Sequence, residues 1–311
     1  MSGPFTTGAI HLLSDMGKKG FAVRVVKSGK NRDLYKMKRI LLFALPFFLF
    51  LLACTHRQVT WVAIGDSITY LNDHQDETGH RLTRGYITQV TEKLPYIHGI
   101  NQGHNGWASR QIADSIEKLG LVKADVYTVF LGTNDWWHGD RIGDWADYAS
   151  NTGDSTIYGA FRIILDKLHQ LNKNAAIVLI TPMQRGDFVY IKDPKNNAYG
   201  SYKDKNGQTL EQVATAIRTI GNHEHIKVID LYHNDGLDLP HLVKYKRLKD
   251  RQTGQYRNYT YPGYIGIPFD PAGDAYPYPP DAMDVTYDGL HPSDKGAAII
   301  ADQLTEVLKA L

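Results

Sequence analysis

Residues 61–69 read Trp61-Val62-Ala63-Ile64-Gly65-Asp66-Ser67-Ile68-Thr69, an apolar run of strand length that ends abruptly in Gly-Asp-Ser. This pattern is typical of a buried parallel strand that runs into a functional loop. In an open α/β sheet such a loop lies at the carboxyl end of the strand, where ligands bind. Ser67 is therefore a candidate nucleophile. The tripeptide alone also fits a turn in which Asp66 or Ser67 caps the next helix.

Further strands and helices are predicted on the carboxyl side of this stretch. Apolar runs of strand length lie at residues 97–101, 125–131, 175–181 and 226–231. Apolar residues recur at helical intervals over residues 85–94, 109–119, 158–171, 210–220 and 293–311. The alternation of the two patterns predicts a parallel sheet of about five strands with helices on both faces.

Two longer stretches interrupt this alternation. Residues 184–206 are polar and charged, with Arg185 soon after the fourth strand, and we expect a loop at the rim of the site. Residues 237–287 contain eight tyrosines among many prolines and glycines. So many aromatic side chains argue against a disordered linker. They favour an ordered lid or wall over the pocket, suited to sugar rings or acyl groups; the alternative is a packed surface excursion without a ligand role.

The amino-terminal part of the chain carries an export pattern. Met37-Lys38-Arg39 precedes an unbroken apolar stretch over residues 40–53, as in a secretion signal. This stretch is shorter than the roughly 20 residues that a membrane-spanning helix needs. It ends in Leu51-Leu52-Ala53-Cys54, which resembles a bacterial lipobox, in which the cysteine is lipidated and becomes the new amino terminus.

We therefore expect an exported lipoprotein that is anchored to a membrane through Cys54 and lies in the periplasm or on the cell surface. The alternative is plain secretion after a cut nearby. Residues 37–54 would be the signal peptide and residues 55–311 the folded domain. Residues 1–36 stand awkwardly before a signal, so we interpret them as an upstream segment that is not part of the native protein.

Charge and cysteine content exclude several functions. From Cys54 onward the chain has 26 basic and 31 acidic residues, so the positive total belongs to the leader and the body is not predicted to bind nucleic acid. Cys54 is the only cysteine, which excludes an internal disulfide and a thiol nucleophile in the domain. No phosphate loop or GxGxxG motif is present, so no cofactor is predicted.

Two histidine-containing clusters are candidate metal sites by composition. One spans residues 74–80, with two histidines and two carboxylates, and the other is His223-Glu224-His225. Neither spacing matches a zinc or EF-hand pattern. We therefore interpret both as solvated loops and predict no metal.

Two further blocks offer donors for a negatively charged oxygen. The glycine-rich stretch from Asn101 to Gly106 leads into a helix, and such a turn exposes backbone N–H groups. Asn134 follows the third strand in Gly132-Thr133-Asn134-Asp135, and its amide can donate to an oxyanion. Each block alone also fits a simpler role, as a tight turn or a cap.

The last block, Asp288-Gly289-Leu290-His291-Pro292, supplies what a serine nucleophile lacks. A histidine with a pKa near neutrality can take the serine proton. Its other ring N–H then needs an acceptor that fixes the tautomer, and Asp288, three residues before His291, can fold back to provide it. The backbone N–H groups of Ser67 and Gly106, with the Asn134 amide, would supply three oxyanion donors.

These four blocks, in the order Ser, Gly, Asn and Asp-x-x-His, resemble the SGNH hydrolases, often called the GDSL esterase/lipase family. The resemblance covers most of the mature chain and implies a flavodoxin-like α/β/α sandwich. It implies Ser67 as nucleophile, His291 as base and Asp288 as its partner. It also implies Gly106 and Asn134 as oxyanion donors beside the Ser67 amide, although Gly103 lies in the same block.

We therefore expect a serine esterase that cleaves small acyl esters, with acetyl groups on a polysaccharide as the favoured substrate. A lipase, phospholipase or thioesterase of the same fold is the first alternative. The second is a glycan-binding lipoprotein whose catalytic residues are vestigial. The expected partners are thus an ester substrate and, through Cys54, a membrane; the sequence does not indicate an oligomeric state.

Overall fold

The structure, a computed structural model, describes residues 57–311. Three predicted features lie outside the described residues: the upstream segment (1–36), the signal peptide (37–54) and the lipidation site Cys54. Within residues 57–311, no helix combines the length and the apolar character that crossing a bilayer requires.

The strands of the described residues form one large sheet and two small ones. In chain order they are β1 (Val59–Gly65), β2 (Ile97–Gly103), β3 (Val126–Phe130), β4 (Ala176–Ile180), β5 (Phe188–Val189), β6 (Asn197–Ala198), β7 (Lys227–Ile229), β8 (Lys246–Lys249) and β9 (Tyr256–Tyr259). The large sheet has the order β2-β1-β3-β4-β7 and all its pairs are parallel. The prediction of a parallel sheet of about five strands is confirmed.

The helices connect these strands. They are α1 (Ser67–Tyr70), α2 (Tyr86–Lys93), α3 (Ser109–Ser115), α4 (Thr133–His138), α5 (Trp145–Ala149), α6 (Ile157–Leu171), α7 (Leu210–His223) and α8 (Asp294–Lys309). Short 3-10 turns lie at Leu71–Asp73, Gln75–Thr78, Leu239–His241 and Pro280–Ala282. The five predicted helices correspond to α2, α3, α6, α7 and α8. The short helices α1, α4 and α5 were not predicted.

The large sheet separates two hydrophobic cores. Side chains of a strand point alternately to its two faces, and in β1 all four of the residues from Trp61 to Ile64 are fully buried. Trp61 and Ala63 join the core that contains α2 and α8, whereas Val62 and Ile64 join the core that contains α3, α6 and α7. The predicted three-layer α/β/α sandwich is therefore confirmed.

The strand order places the ends of β1 and β3 at one point. Counted along the sheet, the order is the flavodoxin-like 2-1-3-4-5, in which ligands bind between the first and third strands, at the carboxyl ends. Helix α1 begins directly after β1, and α4 begins shortly after β3. The Ser67 and Asn134 blocks therefore lie at this edge of the sheet.

The two interrupting stretches pack on each other. Strands β5 and β6 form an antiparallel hairpin within residues 184–206, and β8 and β9 form an antiparallel ribbon within residues 237–287. Tyr278 is fully buried and its hydroxyl donates to the backbone oxygen of Asp187. Lys246 donates to the Asp187 carboxylate at 2.7 Å. Just beyond the second stretch, the oxygen of Gly289 accepts from the backbone N–H of Gly186 at 2.8 Å. The aromatic stretch is thus ordered, as predicted.

Candidate active site

Ser67 is the first residue of α1, and the turn before it sets its orientation. The Asp66 carboxylate accepts a hydrogen bond from the Ile68 N–H at 2.9 Å, so Asp66 is the helix cap. The capping role considered for the Gly-Asp-Ser turn thus falls to Asp66. The Ser67 side chain is free for another partner, and its Oγ lies 2.9 Å from Nε2 of His291.

His291 is held by a turn that begins at Asp288. One Asp288 oxygen accepts from the backbone N–H groups of Leu290 and His291, at 3.0 and 2.7 Å. The other oxygen lies 2.7 Å from Nδ1 of His291. Because a carboxylate accepts at this contact, Nδ1 carries the proton and Nε2 accepts from the Ser67 hydroxyl. Asp288 is 0% exposed, which shields this hydrogen bond from water.

Gly106 and Asn134 lie beside Ser67. All three line a cavity of about 230 Å³ together with His291. Gly106 has a φ of +77°, a conformation that favours glycine. One N–H of the Asn134 amide donates to the Trp107 oxygen at 3.0 Å, which fixes the amide and leaves its second N–H for a ligand.

Gly103 has a different role from Gly106. It pairs with Gly65 at the end of β2, and a Cβ there would lie 2.1 Å from the backbone nitrogen of Tyr70. A glycine at this position therefore allows α1 to approach the sheet. Gly103 is not among the residues that line the cavity.

The cavity wall comes from five regions of the described chain. Its lining residues are Ser67, Asn105, Gly106, Asn134, Trp137, His138, Arg185, Phe188, Asn196, Ala198, Leu290 and His291. The rim predicted for residues 184–206 is present, since four of these residues belong to that stretch. None belongs to residues 237–287; that stretch instead lines a neighbouring cavity of about 310 Å³, with which this cavity shares Phe188 and Ala198, so the lid or wall hypothesis stays a prediction. Residues 237–287 pack against the segment that forms the wall.

Asp135 is a positioning residue. It belongs to the Asn134 block, but the sequence alone did not indicate a role for it. It is fully buried, and its carboxylate accepts from the Ser109 N–H at 3.0 and 3.1 Å and from the Ser109 hydroxyl. This contact ties the start of α4, with Asn134, to the start of α3, just after Gly106. Burial raises the pKa of Asp135. No periodic pattern marks such a residue; its place next to Asn134 was the available signal.

Two more buried charges surround the site. Burial raises the pKa of Asp66 from 3.8 to about 6, because an ionised carboxylate loses its water there. Arg185 is 2% exposed, and burial lowers the pKa of its guanidinium to about 10. Its ring neighbours are Trp136 and Trp137, whose centroids lie 5.4 and 5.0 Å from Cζ. The sequence placed Arg185 at the rim but not in the site.

The two histidine-containing clusters do not form a metal site. Among residues 57–311, no group of three or more His, Cys, Asp or Glu side chains is arranged to hold an ion. His74 instead has Nδ1 at 2.8 Å from the Tyr70 backbone oxygen, and His223 stacks on Trp145 with the ring centroids 3.9 Å apart.

Comparison with known structures gives two informative neighbours. The chain is similar to a possible lipase from Chitinophaga pinensis, with 61% identity, a TM-score of 0.80 and coverage of 81% of this chain and 98% of that chain. It is also similar in fold to a protein from Lactobacillus plantarum, with 19% identity, a TM-score of 0.55 and coverage of 82% of this chain and 98% of that chain. No curated protein sequence matches this chain.

Comparison with protein-family models gives one assignment. Residues 63–299 match the model of the GDSL-like Lipase/Acylhydrolase family, a range that begins within β1 and ends within α8. This range includes all four sequence blocks that resemble the family, those with Ser67, Gly106, Asn134 and His291. The chain therefore belongs to the GDSL-like lipase/acylhydrolase family and is a carboxylic ester hydrolase.

Proposed function

We propose that this chain is a serine esterase that cleaves small acyl esters through Ser67, His291 and Asp288. The observation that carries the proposal is the continuous hydrogen-bonded path from Ser67 Oγ through His291 to Asp288, with 2.9 and 2.7 Å between the partners. This path opens into a cavity that Gly106 and Asn134 also line. A nucleophile, a base that it touches and an acceptor that orients the base are the parts that acyl transfer needs.

In the proposed first step, Ser67 Oγ attacks the carbonyl carbon of the ester while His291 Nε2 takes the hydroxyl proton. The new O–C bond places negative charge on the former carbonyl oxygen. The Ser67 N–H can donate to it, since the first N–H of a helix has no acceptor within the helix. The Gly106 N–H and the second N–H of the Asn134 amide complete the set of donors. Asp288 stabilises the imidazolium through Nδ1.

In the second half of the reaction, the carbonyl reforms and the bond to the alcohol oxygen breaks. His291 gives its proton to the departing alcohol, and the acyl group stays on Ser67. Water then attacks the acyl carbon while His291 Nε2 takes its proton. Collapse of this intermediate returns the proton to Ser67 and releases the acid, so the enzyme is regenerated without a cofactor.

The size and lining of the cavity support a small, polar substrate. Its volume of about 230 Å³ lies below the range of roughly 300–1,000 Å³ that is typical of ligand pockets. Three asparagine side chains and Arg185 line it beside a few apolar groups. A short acyl group on a polar alcohol fits such a wall better than a long hydrocarbon chain. We propose acetyl groups on a polysaccharide as the substrate.

We further propose that the enzyme is exported and anchored to a membrane through a lipid on Cys54. This proposal rests on the sequence alone, since residues 37–54 carry a signal pattern that ends in a lipobox-like cysteine. An anchor of this kind would hold the esterase near polymers of the cell envelope.

Ser67→Ala should lower kcat by roughly 10⁴-fold or more, because the variant lacks the hydroxyl that forms the acyl-enzyme. The measurement is acetate release by the full chain from a panel of acetylated polysaccharides, beside short-chain and long-chain aryl esters. Ser155 is exposed, so Ser155→Ala is the matched control and should retain the wild-type rate. Undiminished hydrolysis by Ser67→Ala would exclude Ser67 as nucleophile, and a long-chain optimum would favour a lipase.

Asn134→Ala should lower kcat by about 10²–10³-fold with little change in KM, because its amide donates to charge that develops after binding. Steady-state rates on one short-chain ester measure this, with a thermal unfolding curve to verify the fold. The exposed Asn174 provides the control variant Asn174→Ala. If the loss appeared in KM alone, Asn134 would bind the substrate without stabilising the oxyanion.

Asp66→Asn should become more stable relative to the wild type as the pH rises from 4 to 8. The folded-state pKa of Asp66 is about 6 against 3.8, so its stabilising contribution is present below pH 3.8 and is lost as the pH rises through 6. Asparagine keeps an acceptor for the Ile68 N–H without the charge. The gain should be on the order of 2–3 kcal/mol in urea unfolding.

The same measurement on Asp302→Asn provides the control for Asp66→Asn. Asp302 is exposed on α8 and pairs with Lys93 at the surface, where a pair contributes little. We therefore expect its free energy of unfolding, relative to the wild type, to change little between pH 4 and pH 8. If Asp66→Asn and the wild type differed in free energy of unfolding by the same amount at pH 4 and at pH 8, the raised pKa of Asp66 would be contradicted.

Cys54→Ser should move the protein from the membrane fraction to the soluble fraction of the expressing cells. The wild type should also gain the mass of a lipid on its amino-terminal cysteine, as measured on the purified mature protein. Membrane association that persists in Cys54→Ser would contradict the anchor, and a mature terminus elsewhere would indicate plain secretion.

A further inference from the structure

Arg185 is a buried cation whose hydrogen-bonding groups are not all used. It lies in the segment between β4 and β5 and is 2% exposed. Within the described residues, its Nε and Nη2 atoms have no hydrogen-bond partner. Arginine is almost never fully buried without a paired anion, because removing its charge from water is unfavourable. This arrangement therefore points to a partner that arrives from outside the chain.

The neighbouring carboxylates do not fill this role, because each is engaged elsewhere. Asp288 holds His291 and two backbone N–H groups. Asp187 accepts from Lys246 at 2.7 Å, from the Gly200 N–H at 3.0 Å and from the Tyr202 hydroxyl. The faces of Trp136 and Trp137 compensate part of the charge through cation–π contact. They do not satisfy the N–H groups.

The cation borders the cavity that contains Ser67 and His291. No carboxylate is among the residues that line this cavity, and Arg185 is the one side chain there with a permanent charge. Asp288 and Asp187 lie close enough to Arg185 to interact with its charge, but neither of them lines the cavity. A ligand in the cavity therefore lies directly against one cation and against no carboxylate.

The geometry of the unused atoms indicates the kind of anion. Nε–H and Nη2–H point from the same edge of the planar guanidinium, and their spacing matches the two oxygens of a carboxylate. Both nitrogens are enclosed in the free protein. A carboxylate would reach them when the end of this long side chain rotates toward the cavity that it already lines.

We propose that Arg185 binds a carboxylate of the substrate, so that the preferred esters carry an acidic group, as an acylated uronic acid unit does. This proposal rests on the proposed esterase function and specifies its substrate class. Arg185 would then be a specificity residue, because it acts on a part of the substrate that does not react.

The test uses two matched pairs of esters with the full chain. A mono-O-acetylated methyl glucuronoside and the corresponding methyl glucoside differ by a carboxylate on the alcohol side. Monoethyl succinate and ethyl butyrate differ by a carboxylate on the acyl side. For the wild type, kcat/KM should be at least about ten-fold higher for the acidic member of one pair, and that pair identifies where the carboxylate lies.

Arg185→Gln should bring the ratio of kcat/KM between the acidic and the neutral ester close to one. Arg185→Lys should retain part of the preference, because lysine keeps the charge but lacks the paired N–H groups of the guanidinium. Arg247 is exposed and its guanidinium lies 5.8 Å from the Tyr256 ring, outside this cavity. Arg247→Gln is therefore the matched control and should leave both members unaffected. Thermal unfolding curves show whether the Arg185 variants fold.

Inhibition of the wild type tests the proposal without any variant. Methyl glucuronoside, or succinate for the acyl side, should compete with the substrate with an inhibition constant at least about ten-fold lower than methyl glucoside or butyramide, respectively. A wild type that hydrolyses both pairs without preferring the acidic ester overturns the role of Arg185 and leaves the esterase proposal intact.

If Arg185→Gln lowers kcat/KM equally for the acidic and the neutral ester of a pair, the proposed role of Arg185 is also overturned, and a general effect on the oxyanion is indicated. Inactivity on all four esters removes both proposals.

Discussion

The hydrogen bond between Ser67 and His291 joins two residues that are 224 positions apart in the chain. It forms because β1 lies inside the sheet and α8 covers the face to which Trp61 and Ala63 point. The start of α8 is fixed by its Asp294 carboxylate, which accepts from the backbone N–H groups of Thr83 and Arg84 at 2.6 and 3.0 Å. The position of the proposed base thus depends on a contact that takes no part in the chemistry.

The sequence was informative where one physical cause dominated a long stretch. Runs such as residues 175–181 are apolar throughout because a central parallel strand is buried on both faces, and that pattern is readable. Strands of two residues, such as β5 and β6, have no detectable period, so the cavity wall that they form could only be expected as a loop. The aromatic content of residues 237–287 predicts burial, but it does not indicate which segment these side chains pack against. Asp135 and Arg185 show the same limit, since their burial depends on distant segments.

Three ionisable groups around the site, Asp66, Asp135 and Arg185, lie where ionisation is costly. Two of them have clear structural duties: Asp66 caps α1, and Asp135 joins the starts of α3 and α4. Charged groups that are fixed in a dry environment interact strongly with any charge that appears nearby. Buried ionisable residues depart from the usual apolar composition of protein interiors, and such departures are expected at functional sites.

The turn that carries His291 is also joined to the two interrupting stretches. Gly289 has a φ of +89°, and a Cβ there would lie 2.1 Å from the Asp187 oxygen, which also accepts from the Tyr278 hydroxyl. Three segments, at residues 187, 278 and 289, are therefore closely packed around the Asp187 backbone oxygen. In evolutionary terms, the loops of this enzyme are not interchangeable modules: exchanging the tyrosine-rich segment for that of a relative would require compensating changes on both of the others, so a new substrate range would arise by coordinated rather than piecemeal replacement.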